Sequence, residues 1–198
     1  MRWLEVRRHS LTKRSRGPGS SLSQEGVALA RQVGRSLGPF AYVATSASPR
    51  AVETAVAMGY AIDETVDLPS GYVPGQIAHH DQWHWPQPYR RYAKLLAQAP
   101  RLAAVGDAHR ALWTRLAAAA PEGAAVLVVC HGGGIEPALV TCLPHADHAS
   151  WGPPFGHCDG ARLCFDRGSF VGVDFHRVRD IVRLHDIQAN VFERDDGS

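Results

Sequence analysis

From Ala124 to Cys130 the chain reads Ala-Ala-Val-Leu-Val-Val-Cys, with no charged or hydroxyl side chain. A run this short, flanked by Gly and His, fits a strand, and a strand without a polar face must be covered on both sides. That constrains the whole chain, because helices have to lie above and below one sheet. The flanking segments comply. Leu4 and Val6 alternate with Glu5 in a first strand that gives way to Arg7-Arg8-His9. Ser23 is a natural N-cap for a helix in which Val27, Ala30, Val33 and Leu37 recur at helical spacing until Gly38-Pro39 stops it. Phe40 to Ala44 reads as a second strand. Ser48 as cap and Pro49 at the first helical position then start another helix, with Arg50 in its first turn beside unpaired backbone N–H groups.

Residues 60–68 read as a third strand, and 89–120 as two helices broken near Ala99-Pro100, with Leu95, Leu96, Leu102, Leu112, Trp113 and Leu116 as core. Ile135 to Leu143 is helical in pattern, and Ala161–Asp166 with Phe170–Phe175 forms a hairpin about Arg167-Gly168-Ser169. Strands alternating with helices predict an α/β fold: a three-layer α/β/α sandwich with a mostly parallel central sheet and a C-terminal antiparallel hairpin. The 198 residues make a single domain, 1–198, able to bury roughly 70% of its unfolded surface. Residues 69–88, rich in Pro, Gly, His and Trp and without periodicity, are expected to be a lid or substrate loop. Residues 180–198 form a polar tail.

A net charge of +2 does not call for nucleic acid. Its distribution says more: residues 1–20 hold six Lys/Arg against Glu5 alone, leaving fifteen basic against eighteen acidic side chains elsewhere. Positive charge thus gathers near Arg8-His9, as an anion site requires. The four cysteines show no Cys-x-x-Cys spacing, which suits a reduced, cytoplasmic protein. No signal-peptide-like run precedes the first charges and no stretch approaches the roughly 20 apolar residues of a membrane span, so no membrane partner is expected. Eleven histidines invite a metal, and Cys142, His145, His148 and His79, His80, His84 have ligand-like spacing. Neither group completes a four-ligand set, so no metal and no cofactor are expected.

His9, Arg50 and His131 each fall just past the end of an expected strand, and in such sheets ligands bind beyond the carboxyl ends of the strands. A guanidinium is a fixed two-pronged donor for phosphate oxygens, and a neutral imidazole beside it is a nucleophile. Arginines and histidines converging there suit phosphoryl transfer, which needs positioning and charge neutralisation above all.

Arg8-His9-Ser10, Leu22-Ser23-x-x-Gly26, Ser46-x-x-x-Arg50-Ala51-x-x-Thr54-Ala55 and Val129-Cys130-His131-Gly132-Gly133, in that order from residue 4 to about 140, resemble the motifs of the histidine phosphatase superfamily, the phosphoglycerate-mutase-like fold. The resemblance implies His9 as the phosphorylated nucleophile, Arg8 and Arg50 as ligands of the phosphoryl oxygens and His131 as the second histidine. It implies a metal-independent phosphatase acting on a small phosphorylated substrate. The alternatives are a catalytically weak relative that binds phosphorylated ligands in a regulatory role, or a mutase; the short chain offers little to shield an intermediate from water. Two departures stand out. The usual Arg-His-Gly is Arg-His-Ser, whose hydroxyl could join the pocket. The stretch Asp67-Leu68-Pro69-Ser70-Gly71-Tyr72 has no acid in the place where the family usually carries its proton donor. Asp81, in the loop after the third strand among His79, His80, Trp83 and Trp85, is the first candidate for that acid, with Glu64 and Asp67 behind it.

Overall fold

The computed structural model describes residues 1–13, 19–78 and 80–179; Arg14, Arg16, His79 and the tail 180–198 lie outside the described residues. The apolar run is strand β4 (Ala125–Cys130) near the middle of a six-stranded sheet of order β3-β2-β4-β1-β5-β6. Its neighbours β1 (Arg2–Arg8) and β2 (Tyr42–Ser46) run parallel to it, with Arg8 opposite Cys130 and Thr45 opposite Val129. On the far side of β1 the hairpin β5 (Gly160–Asp166) and β6 (Ser169–His176) is antiparallel. It turns through Arg167 and Gly168, both at positive φ, as a two-residue hairpin turn requires.

The side chains of β4 explain why its sequence shows no alternation. Val126 and Val128 join one core with Leu102, Trp113 and Leu139, while Leu127 and Val129 join another with Val43, Ala51 and Ala55. The first face is covered by α3 (Pro88–Gln98), α4 (Pro100–Ala119) and α5 (Gly132–Cys142). The second is covered by α2 (Pro49–Ala57), against which α1 (Gln24–Arg35) packs. A fully buried aliphatic side chain contributes about 1.5–3 kcal/mol, so an aspartate at Val128 would break the sheet at its centre.

Local signals are realised with adjustments. Ser23 Oγ accepts the Gly26 N–H at 3.1 Å, capping α1. Ser48 occupies the N-cap of α2 without a side-chain cap bond, the helix start being fixed by Pro49. The third strand, β3, spans only Glu64–Val66, because it is an edge strand paired to β2 alone. Helix α5 begins at Gly132, three residues earlier than its apolar pattern suggests.

Within β1, alternate side chains part ways. Glu5 is fully buried and binds Arg7 at 2.6 Å, His176 at 3.1 Å and Arg162 at 3.0 Å. Burial would raise its pKa, but the His176 hydrogen bond and the arginine charges hold it down at about 2. Arg7, counted above with the positive charge of the N-terminus, therefore belongs to the β1-β5-β6 junction and not to the site.

No helix among the described residues is long and apolar enough to cross a membrane.

Candidate active site

Strands β1, β2 and β4 end at one edge of the sheet, and β5 begins there because it runs the other way. A cleft of about 720 Å³ opens at that edge. Arg8, His9, Arg50 and His131 all line it, so chemistry-bearing residues far apart in sequence meet.

His9 is the first residue past β1. Its N–H donates to Cys130 O at 2.9 Å, and its Nδ1 lies 2.8 Å from Ser10 O. A carbonyl only accepts, so Nδ1 carries the hydrogen and Nε2 keeps its lone pair. Burial and then the charges of Arg8, His131 and Arg50 outweigh the Ser10 bond and hold the His9 pKa at about 2. The Ser10 hydroxyl does not join the cleft. It donates to Gly26 O at 2.7 Å, while Ser10 N–H donates to Thr54 Oγ1 at 2.9 Å, so this serine ties β1 to α1 and α2.

Arg8 leaves the face opposite Arg7. Its Nη1 donates to Phe155 O at 2.5 Å, and the indole of Trp83 lies 5.7 Å from its guanidinium carbon. Phe155 N–H in turn donates to Glu136 Oε1 at 3.0 Å, so Arg8 and Glu136 are held through one backbone unit. Glu136 is fully buried, its Oε2 has no hydrogen-bond partner among the described residues, and burial raises its pKa to about 7. Arg50, in the first turn of α2, has its pKa lowered by burial and by the like charge of Arg8. His131 Nε2 lies 2.8 Å from Ser46 Oγ, at the end of β2. Burial and then the two arginines lower the His131 pKa to about 4, and its ring centroid is 5.3 Å from that of His9.

Three further histidines line the cleft: His80, His109 and His157. His157 lies 5.8 Å from His9 between ring centroids, and burial followed by the Arg8 and His80 charges lowers its pKa to about 4. His109 comes from α4, its ring against Gly134, where a Cβ would approach Nε2 to 2.6 Å. Tyr72 lies likewise over Gly133, where a Cβ would meet the ring at 2.8 Å. The glycines after His131 thus let two rings close on the start of α5. Sequence spacing could have flagged those glycines as close-approach positions; nothing local marked His157.

The acid candidates fare differently. Asp81 is not brought to the cleft: it starts a short 3-10 turn (Asp81–His84), and its carboxylate accepts the Ala78 N–H at 3.0 Å. Glu64 is engaged by Arg115 at 2.8 Å and by the Tyr42 hydroxyl at 3.2 Å. Asp67 does line the cleft, with residues 68–72 beside it. Among the described residues no group of three or more His, Cys, Asp or Glu is placed to hold a metal ion.

No curated protein sequence matches the chain. Solved structures share the fold. Phosphoserine phosphatase of Entamoeba histolytica in complex with 3-phosphoglyceric acid is 17% identical at a TM-score of 0.64, covering 89% of this chain and 97% of its own. A phosphoglycerate mutase of Bacillus anthracis is 18% identical at 0.64, covering 91% and 95%. A mycobacterial glucosyl-3-phosphoglycerate phosphatase complexed with VO3 is 20% identical at 0.61, covering 88% and 98%. The family model for the histidine phosphatase superfamily (branch 1) matches residues 5–177, a span that begins inside β1 and ends just past β6. With its two histidines and two arginines gathered at one sheet edge, the chain belongs to the histidine phosphatase superfamily, branch 1.

Proposed function

We propose that this chain is a metal-independent phosphatase that hydrolyses a small phosphomonoester through a phosphohistidine on His9. The observation that carries the reading is the His9 ring: Nδ1–H is tied to Ser10 O, leaving an unprotonated Nε2 in a cleft lined by Arg8, Arg50 and His131. The substrate's phosphoryl group docks between the arginines. Hydrogen bonds to charged groups contribute about 1.5–3 kcal/mol each, and they strengthen as charge shifts to the phosphoryl oxygens in flight. His131, oriented by Ser46, hydrogen-bonds the same group. Water then releases phosphate from His9. The cleft walls from residues 66–72 and His80 support the expectation that the 69–88 loop contacts the substrate. The shared fold of proteins whose names specify phosphoserine and phosphoglycerates supports a small phosphorylated metabolite. Four unpaired cysteine thiols suit a reducing compartment such as the cytoplasm.

The test is acid-quenched enzyme after mixing with p-nitrophenyl phosphate. Acid-labile phosphate should appear on wild type, survive prior chelation of divalent ions, and vanish in His9→Ala together with turnover. Full turnover by His9→Ala would end the reading. Tight vanadate binding without any turnover would favour the regulatory alternative.

A further inference from the structure

Strand β1 lies between β4 and β5, and each neighbour delivers a histidine to the edge where β1 ends. His131 follows β4, and His157 precedes β5, so the two flank His9 at centroid distances of 5.3 and 5.8 Å. The backbone around His157 is pinned. Arg8 N–H donates to Asp159 O at 3.0 Å and Cys158 N–H to Arg8 O at 3.2 Å. Arg177 donates to the carbonyls of Trp151, Pro153 and Pro154 and to the Asp159 carboxylate. Yet neither ring nitrogen of His157 makes a hydrogen bond among the described residues, although the half-buried imidazole lines the cleft. A polar ring fixed by its backbone and unpartnered beside the nucleophile is placed for a reacting atom.

We infer that His157 is the proton carrier of both half-reactions, giving its proton to the leaving oxygen and then taking one from the attacking water. This rests on the phosphatase reading above. The three phosphoryl oxygens already have Arg8, Arg50 and His131, whereas the leaving oxygen needs a donor of its own; Asp81 is turned to Ala78, Asp67 belongs to the wall of residues 66–72, and His157 is the ring beside His9. His109 is held through Nδ1 to Val105 O at 2.9 Å, and Tyr72 accepts from Gln82 with its phenol pKa raised by burial.

The steps balance. A monoester with a second pKa near about 6 enters carrying a proton, which passes to His157. Burial and the charges of Arg8 and His80 lower the pKa of that imidazole to about 4, and the bound dianion offsets that repulsion. His9 Nε2 forms the N–P bond; the bond from phosphorus to the leaving oxygen breaks, and that oxygen keeps the electron pair and takes the His157 proton. Water oxygen then bonds to phosphorus, the N–P pair returns to His9, and neutral His157 accepts the proton that water loses. Departing phosphate takes this proton away, and both rings are restored.

Rapid-quench measurements on wild type, His157→Asn and His157→Gln, with p-nitrophenyl phosphate and β-glycerol phosphate as donors, test this. Nitrophenolate needs no proton, so its burst should stay within about 3-fold of wild type, followed by slowed turnover and accumulated phosphate on His9. Phosphorylation by β-glycerol phosphate should fall by about 10²-fold or more, the usual contribution of a positioned acid. Equal slowing with both donors would make His157 a phosphoryl ligand only and overturn the inference, as would unchanged rates. Absence of acid-labile phosphate on wild type would instead remove the phosphatase reading beneath it. In case both variants misfold, nitrogen NMR of wild type gives a second measurement. His157 should become cationic on adding orthovanadate, and a ring that stays neutral overturns the inference.

Discussion

His9 and Ser10 share a hydrogen bond within adjacent residues, the imidazole Nδ1–H donating to the following carbonyl at 2.8 Å. The bond fixes the tautomer before any substrate arrives. It predicts that phosphate will be found on Nε2 of His9 and not on Nδ1. Because burial and the neighbouring cations hold the pKa at about 2, the ring should stay neutral from pH 8 down to pH 4. Long-range nitrogen–proton NMR of the unliganded protein checks both points; a His9 titration near the ordinary value of 6.5 would contradict them.

Ser46 orients His131 across 2.8 Å. Ser46→Ala removes one hydrogen bond of about 0.5–1.5 kcal/mol, so kcat/KM should fall about 2–10-fold with little change in the unfolding midpoint. On the proposed role of His131 as a phosphoryl donor, His131→Ala should cost about 10²–10³-fold. Equal losses for the two variants would mean that Ser46 does more than orient.

Glu5 sits at no exposure between Arg7, Arg162 and His176. Removing one partner of a buried ionic group costs about 3–5 kcal/mol, so Glu5→Gln should lower urea stability by that amount at pH 7. Its folded pKa of about 2 lies below the ordinary 4.5. The stabilisation is thus full above pH 4.5 and lost as pH falls toward 2, and the gap between wild type and variant should close across that window.

Glu136 has the opposite sign. Burial raises it from 4.5 to about 7, so wild type loses stability as pH rises through that interval, when a fully buried carboxylate must ionise. Glu136→Gln keeps an oxygen for Phe155 N–H and cannot ionise. The variant's stability relative to wild type should therefore climb between pH 5 and pH 8, read from denaturant midpoints at each pH. A pH-independent difference would place the Glu136 pKa outside this range.

The layered fold was legible because its signals are local. The β4 run, the Ser23 cap and Pro49 each announce an element from within a few residues. The convergence of Arg8, His9, Arg50 and His131 was legible because parallel strands put their following residues at one edge. His157 was not, since its nearness to His9 comes from β1 pairing with a strand some 150 residues later and in the reverse direction. Arg7 and Arg8 read alike in sequence, but the pleat sends one to Glu5 and the other to the cleft. Ser10 looked like a pocket hydroxyl until its bond to Gly26 turned it away. Nothing local marked Glu136, whose full burial and bond to Phe155 N–H come from the packing of α5 against a segment 19 residues later.

The central position of β1 has a kinetic consequence. The cleft takes Arg8, His9, Arg50, His131 and His157 from distant parts of the chain, and they meet only when β1 has acquired a neighbour on each side. Contacts so distant in sequence form late and slowly. A refolding chain that has paired β1 with β4 alone would bring His9 to His131 without the His157 wall. Recovery of catalysis should then lag behind recovery of the parallel sheet, reporting the moment the hairpin docks.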